Sequence, residues 1–285
     1  MRMEEFRHLE RLRVRWAEVD MQRIVFNGHC LMYFDTALSG YWRSLALPYH
    51  QTLSDLGGDL YVRKATVEHH ASARPDDLCE VGMRMSRVGR SSLVFEAGLF
   101  RDGVRLVSGE LVYVFADPAT QSSRPVPREL REVMEAFERG EPTVSEARGD
   151  WPSLGTQAEP LRRTVLVQEC GIDAPLGCDA DDSRAHHVLL RNRLGAAVAT
   201  GRLLPLGQGR AQIGRLAVTK VLRESGLGRR VVLSLLEIAR EQGLREVVLH
   251  APAAAQRFHQ RMGFAVRGVP FQAAGLAHVE MALSL

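Results

Sequence analysis

Close cysteine pairs are missing from this sequence. Cys30, Cys79, Cys170 and Cys178 are widely spaced and form no Cys-x-x-Cys unit. That pattern argues against a disulfide scaffold and against a zinc site, and points to a reducing, cytoplasmic setting. No apolar run reaches the length of a membrane span, and the opening Met-Arg-Met-Glu-Glu-Phe-Arg has no apolar core. Neither a membrane partner nor a signal peptide is therefore expected. An excess of one charge is lacking too. The formal net charge is +3, and no basic tract carries interleaved aromatics, which sets nucleic acid aside as a partner. No short-period repeat occurs. What remains is a chain of 285 residues, 45% hydrophobic, with the composition of a globular protein and the length of two domains.

The most informative stretch is 212–243. Its first part alternates, with Ile213, Leu216 and Val218 apolar among small and polar neighbours, as in a part-buried strand. Its last part places Val231, Leu235, Ile238 and Ala239 at helical spacing, with charges opposite. Between them, Gly226 and Gly228 let backbone amides face the turn with no Cβ in the way. Free amides and the positive dipole end of a helix N-terminus attract an anion. Arg223, Arg229 and Arg230 add charge beside it. The stretch is either a pyrophosphate cradle or an ordinary glycine-rich loop between strand and helix.

In chain order, periodicity predicts a strand over 7–17, a loop over 19–28 and a helix over about 30–46, with Leu31, Phe34, Leu38 and Tyr41 on one side. Strands follow at about 60–71, 78–88, 91–101 and 104–116, divided by turn residues such as Gly89-Arg90 and Asp102-Gly103. A short helix is expected over 128–139. Residues 141–159 are rich in Gly, Pro, Ser, Thr and Glu without periodicity, and read as a linker. Beyond it we expect a strand at 161–168, a hairpin of 186–193 with 196–205, and a strand at 210–219. A helix at 226–242, a strand at 247–250, a helix at 253–262 and closing strands at 264–267 and 277–283 complete the chain. The expected fold is α+β over 1–140, one sheet wrapping one long helix, and α/β over 160–285.

Arg223-Glu-Ser-Gly-Leu-Gly matches the pattern Arg-x-x-Gly-x-Gly, and residues 161–285 resemble a complete domain of the GNAT acyltransferases. Subgroup features agree: 165–171 near the start, the spaced Asp179, Asp182 and His186, then Gly201-Arg202-Leu203, and the closing Gly275-Leu-Ala-His278-Val-Glu-Met281. The resemblance implies that Arg223, Glu224, Ser225, Gly226, Leu227, Gly228 and Arg229 hold the pyrophosphate of acetyl-CoA. It also implies that Leu216, Ala217 and Val218 offer backbone to the pantetheine arm. Many relatives protonate the departing thiolate with a Tyr in Ala-x-x-Phe-Tyr-x-x-x-Gly-Phe. Here Ala255 to Phe264 takes that place and His259 replaces the Tyr. His259 is either this acid, since an imidazole titrates near neutrality, or a surface residue of the helix. His186 and His278 read as structural, and Glu169 as a further candidate base.

The first half has its own resemblance. The run from Arg15 through Asp20, Val25, Asn27 and Gly28 to Asp35, set in the order strand, loop, long helix, strand meander, is similar to hot-dog fold thioesterases of the 4-hydroxybenzoyl-CoA thioesterase-like group. It extends over about residues 6–120. Asp20 falls on the catalytic Asp of that family, and Val25 and Asn27 on its helix-entry positions. The resemblance implies substrate contacts from Val25, Asn27 and Gly28, and from Glu68, where some relatives keep a polar site residue. Arg23 stands where Gly is common and Cys30 where Tyr is common; an Arg beside Asp20 favours its ionised form. One carboxylate suffices for the chemistry: it attacks the thioester carbonyl or activates water while helix N-terminal amides stabilise the oxyanion. The competing reading makes Asp20 a solvated turn residue or helix cap. Glu18 and Asp35 read as ion-pair or surface carboxylates and Ser91-Ser92 as a turn. His69 and His70, adjacent on a strand, should face opposite sides and share no metal.

Together the resemblances imply a fused enzyme acting on acyl-CoA. No cofactor is expected to be permanently bound; acyl-CoA and acetyl-CoA are substrates, and an unidentified amine is the acceptor. A homodimer or homotetramer through the first domain is expected. The alternative is a thioesterase whose second half is a catalytically silent, CoA-binding regulatory module.

Overall fold

The most strictly alternating segments of the first half form one antiparallel sheet. Its strands are β1 (His8–Arg13), β2 (Asp59–His69), β3 (Leu78–Val88), β4 (Ser92–Arg101) and β5 (Val104–Ala116), in the order β1-β3-β4-β5-β2. The computed structural model describes residues 1–171, 177–273 and 275–285, which divide into two units, Met1–Thr143 and Val144–Leu285. Among the described residues no helix is long and apolar enough to cross a membrane.

In the first unit the sheet wraps helix α1 (Asn27–Ser44). Tyr33, Phe34, Ala37, Tyr41 and Trp42 recur at helical spacing and are buried. Burial of each large side chain contributes roughly 1.5–3 kcal/mol. The Phe34 ring lies so close to β5 that a Cβ on Gly109 would come within 2.5 Å of it, so glycine permits the helix to seat. Tyr41 meets Phe95 and Phe137 edge-on, with ring centroids 5.5 and 5.3 Å away, and its hydroxyl donates to the Glu138 carboxylate at 2.7 Å. Glu138 belongs to α3 (Arg128–Glu138), which so ties itself to the core. The short α2 (Tyr49–Asp55) was not expected from periodicity.

The second unit departs from expectation at its start. Residues 141–159 are not an unstructured linker. They contain β6 (Val144–Gly149) and most of α4 (Trp151–Arg162), both part of the second unit. The Asp150 carboxylate accepts the Ser153 amide at 3.1 Å and Pro152 sits in the first turn, so the helix start is capped. Nor is 161–168 a strand. The helix runs on as a π-helical turn, Arg163–Glu169, because Leu161 and Val165 bury the same face, against Ala217.

The remaining strands are β7 (His186–Asn192), β8 (Ala197–Gly207), β9 (Arg210–Val218), β10 (Glu246–Pro252), β11 (Ala265–Ala273) and β12 (Leu276–Ser284). With β6 they form one sheet in the order β11-β12-β10-β9-β8-β7-β6, parallel only between β9 and β10. Helix α5 (Leu227–Glu241) follows β9 and buries Val231, Val232, Leu235, Leu236 and Ala239; the short α6 (Gln256–Gln260) follows β10. This gives α+β and α/β halves, as expected.

Candidate functional site

In the first unit, a carboxylate that is not Asp20 shapes the loop. After β1 the chain makes a 3-10 turn at Trp16–Glu18. Glu18 is only 4% exposed. Its carboxylate accepts the Arg15 amide at 2.7 Å and the Tyr33 hydroxyl at 2.7 Å, and pairs with the Arg15 guanidinium. Burial alone would favour its protonated form, but Arg15 and Tyr33 outweigh it and hold its pKa low. With the turn fixed, the Phe26 amide donates to Glu18 O and the Val25 amide to Ala73 O, each at 2.9 Å.

The intervening loop folds back on itself. The Asp20 amide donates to Ile24 O at 2.9 Å and the Arg23 amide to Asp20 O at 3.0 Å. Arg23 takes a left-handed φ of 60°, which accounts for glycine being common there. Its guanidinium forms no ion pair with Asp20 among the described residues. The half-buried Asp20 carboxylate accepts the Gln22 amide at 2.8 Å.

Asp20 faces a cavity of about 390 Å³. Val25, Asn27 and Cys30 line it from the loop and α1; His69, His70 and Ser72 line it from the end of β2. Val25 is buried, and burial pushes the Cys30 thiol pKa up. No side chain caps α1, and the Asn27 and Gly28 amides have no partner among the described residues. The Asp20 carboxylate and Asn27 thus line one opening, with the free amides and positive dipole end of α1 at its start beside it. Gly28 is at the helix start but outside the lining, and Glu68 is exposed on β2 and outside it too. The two histidines were expected on opposite faces. β2 ends at His69, the His70 and Ala71 amides both donate to Leu106 O, and both histidines are among the residues lining the cavity. His70 Nε2 lies 2.8 Å from the Ser108 hydroxyl.

In the second unit, β9 carries a bulge opposite β8. Arg202 pairs with Gly214 and Thr200 with Ala217, while Arg215 takes a φ of 51°. Leu216 is left out of the pairing; Ala217 and Val218 pair with Thr200 and Ala199. The loop after β9 turns left-handed at Glu224, φ 69°, and at Gly226, φ 87°. Helix α5 starts at Leu227 with no side-chain cap. The amides of Glu224, Ser225, Gly226, Leu227, Gly228 and Arg229 have no partner among the described residues. This is the geometry of an anion nest. A Cβ on Gly228 would meet protein atoms only at ordinary contact distance, 3.5 Å.

The surrounding charges differ from expectation. Arg230 turns away to Glu146 at 3.2 Å, and Arg223 is tied to Glu169 at 2.5 Å, which also removes Glu169 as a free base. The Ser225 hydroxyl donates to Leu222 O at 2.6 Å. Arg229 is exposed and makes no ion pair among the described residues. His259 is not a surface residue. It is 5% exposed, lies between Phe258 and Phe264, and its Nδ1 has no partner. Burial lowers its pKa to about 4, so the ring is neutral at neutral pH and is a poor proton donor to a thiolate.

The spaced acidic signature forms a buried ionic network. Asp182 accepts from Arg162 at 2.8 Å and from Arg202 at 2.9 Å; Asp179 accepts from Arg202 and Arg215 at 2.5 Å each. Its histidine is His187 rather than His186. Arg162 donates to His187 Nδ1 at 3.0 Å, and His187 Nε2 donates to Asp182 O at 2.9 Å, whereas His186 meets Gln242 at 2.6 Å. Arg162, fully buried over the Trp151 ring, was hidden within the supposed strand. Burial resists the charge on Asp179, but its two arginines prevail and bring its pKa down to about 2.

Comparison with known proteins places two families on this chain. Residues 22–108 match the thioesterase superfamily and residues 181–285 an acetyltransferase (GNAT) domain. A UPF0039 protein of Schizosaccharomyces pombe is 34% identical over 127 residues, 44% of this chain and 84% of its own length. The Bacillus subtilis protein YyaT is 30% identical over 128 residues, 44% of this chain and 85% of its own. A thioesterase from Thermus thermophilus, solved in complex with coenzyme A and zinc, is 28% identical; it covers 49% of this chain and 99% of its own, with a TM-score of 0.43.

Proposed function

We propose that this chain, which belongs to the thioesterase superfamily through its first unit and to the GNAT acetyltransferases through its second, hydrolyses acyl-CoA in the first and transfers acetyl from acetyl-CoA to an amine in the second. The observation that carries the hydrolase reading is that the Asp20 carboxylate and Asn27 line one cavity, with the uncommitted Asn27 and Gly28 amides at the adjoining start of α1. Asp20 activates water or attacks the thioester carbonyl carbon. The amides hold the oxyanion, the C–S bond breaks, and the thiolate leaves and takes a proton from solvent; where Asp20 itself attacks, water then cleaves the acyl–Asp20 anhydride, releasing the acid and freeing the carboxylate. Val25 and Asn27 position the acyl group. Glu68, outside the cavity of a single chain, has no role in this reading.

In the second unit, the amides of 224–229 and the free Arg229 take the pyrophosphate, and the backbone of Leu216, Ala217 and Val218 takes the pantetheine arm. Acyl-CoA and acetyl-CoA are substrates; nothing is held permanently. A homodimer or homotetramer through the first unit suits β2. It is an edge strand of eleven residues, mostly exposed, with Tyr61 and Val62 uncovered, and a bare edge of this kind favours pairing with a second copy.

Burial of His259 favours a second reading, in which the GNAT half binds CoA without transferring acetyl. Thiol release measured with and without a panel of amines decides between them. Amine-dependent release with an acetylated product supports transfer. Amine-independent release alone, lost on Asp20→Asn, leaves the second half a binding module.

A further inference from the structure

We propose that His250, oriented by Glu280, is the base that takes the proton from the acceptor amine; this deepens the acetyl-transfer reading and rests on it. Strands β9 and β10 pair in parallel only as far as Ile213 and Leu249. Beyond that point β9 continues beside β8 and β10 beside β12, so the two part and leave a wedge open. Ligands of sheets with parallel strands lie where such carboxyl ends separate. His250 is the first residue of β10 past the split, level with Gly214 of β9, and a Cβ on Gly214 would meet nothing within 4 Å. The imidazole stands beside open space at the wedge and is 45% exposed.

Its orientation is fixed from several sides. Nε2 faces Glu280 Oε2 at 3.7 Å, directly across on β12. Arg267 of β11 holds Glu280 at 2.6 Å and is itself held by Glu246 at 2.8 Å. Phe271 meets the ring edge-on at 5.0 Å and stacks on His278. Nδ1 points towards β9, where the Gln212 amide reaches it at a long 3.4 Å. With Glu280 stabilising Nε2–H, Nδ1 carries the lone pair, and a closer donor displaces Gln212. An ammonium acceptor, R–NH3+, gives one proton to Nδ1. The free amine forms the N–C bond, the C–S bond breaks, and the second amine proton is lost to solvent while the thiolate is protonated from it. Glu280 is the positioning residue that offsets the imidazolium charge.

The test is acetylation of a panel of small aliphatic amines, spermidine included, by the full chain with acetyl-CoA, with product read by mass. His250→Gln should lower kcat/KM for the amine on the order of 10²-fold or more near neutral pH and leave the acetyl-CoA KM unchanged. It should also change the shape of the pH profile, leaving only the dependence set by the amine's own ionisation, and added imidazole should restore part of the rate to His250→Ala. Acetylation by His250→Gln at the wild-type rate and with the wild-type pH profile overturns this inference alone. No acetylated amine from the wild type overturns the transfer reading, and this one with it.

Discussion

Replacing His259 with leucine separates a buried core residue from a working acid. Burial takes this imidazole from 6.5 to about 4, so the folded protein binds its proton less readily than the unfolded chain. Stability from this group is complete above about pH 6.5 and is lost as pH falls through about 4. At about pH 5 the unfolded ring is mostly charged and the folded one mostly neutral, a gap of about 1.5 pH units or roughly 2 kcal/mol. Wild type should therefore lose roughly 2 kcal/mol more than His259→Leu between about pH 7.5 and pH 5, read from urea unfolding followed by circular dichroism. Identical pH dependence in the two proteins would refute the burial argument. The same variant bears on chemistry. A neutral core ring predicts acetyl transfer reduced less than about tenfold, whereas a loss on the order of 10²–10⁴-fold at unchanged acetyl-CoA affinity returns the acid role to His259.

Two further outcomes follow from backbone geometry. Gly226→Val forces a branched side chain into φ 87° at the nest, so calorimetric titration of the full chain with coenzyme A should lose one class of site; an unchanged isotherm in a folded variant removes the cradle assignment. Arg23→Gly relieves a left-handed residue at φ 60°, worth about 1–2 kcal/mol, against roughly 0.5–1 kcal/mol of added chain entropy. Urea unfolding should therefore show the first unit unchanged or stabilised by up to about 1.5 kcal/mol, and marked destabilisation contradicts this.

Much of this architecture was legible because periodicity and register agree. Strands β3, β4 and β5 fall within a residue of expectation, since alternation there is strict and Gly89 and Asp102-Gly103 punctuate it. Glycine spacing at 226 and 228 made the turn between strand and helix legible, but spacing alone left cradle and ordinary loop both open. Residues 141–168 were not legible. Their composition suggests a linker, and Pro160 suggests a break, yet Pro160 lies inside α4. The signal was local: Asp150 followed by Pro152 and Ser153 is a helix start, and Ala158, Leu161 and Val165 keep helical period beyond it. That both histidines lie at the cavity was not legible, because alternation assumes a straight strand and β2 ends between them. His187 could not be told from His186, because which of two neighbours faces the core depends on a register that only pairing fixes. The neutral state of His259 follows from tertiary burial, which no short motif encodes.

The hydrolase assignment rests on one carboxylate, and Asp20→Asn tests it most directly. Asn keeps the shape and can still accept the Gln22 amide, so the loop and α1 should stay folded. Steady-state thiol release from several acyl-CoAs, with folding checked by circular dichroism and coenzyme A binding in the second unit checked by calorimetry, is the measurement. The account predicts a fall on the order of 10²-fold or more in hydrolysis, with coenzyme A binding at the 224–229 nest unchanged. Hydrolysis at the wild-type rate by well-folded Asp20→Asn would contradict it.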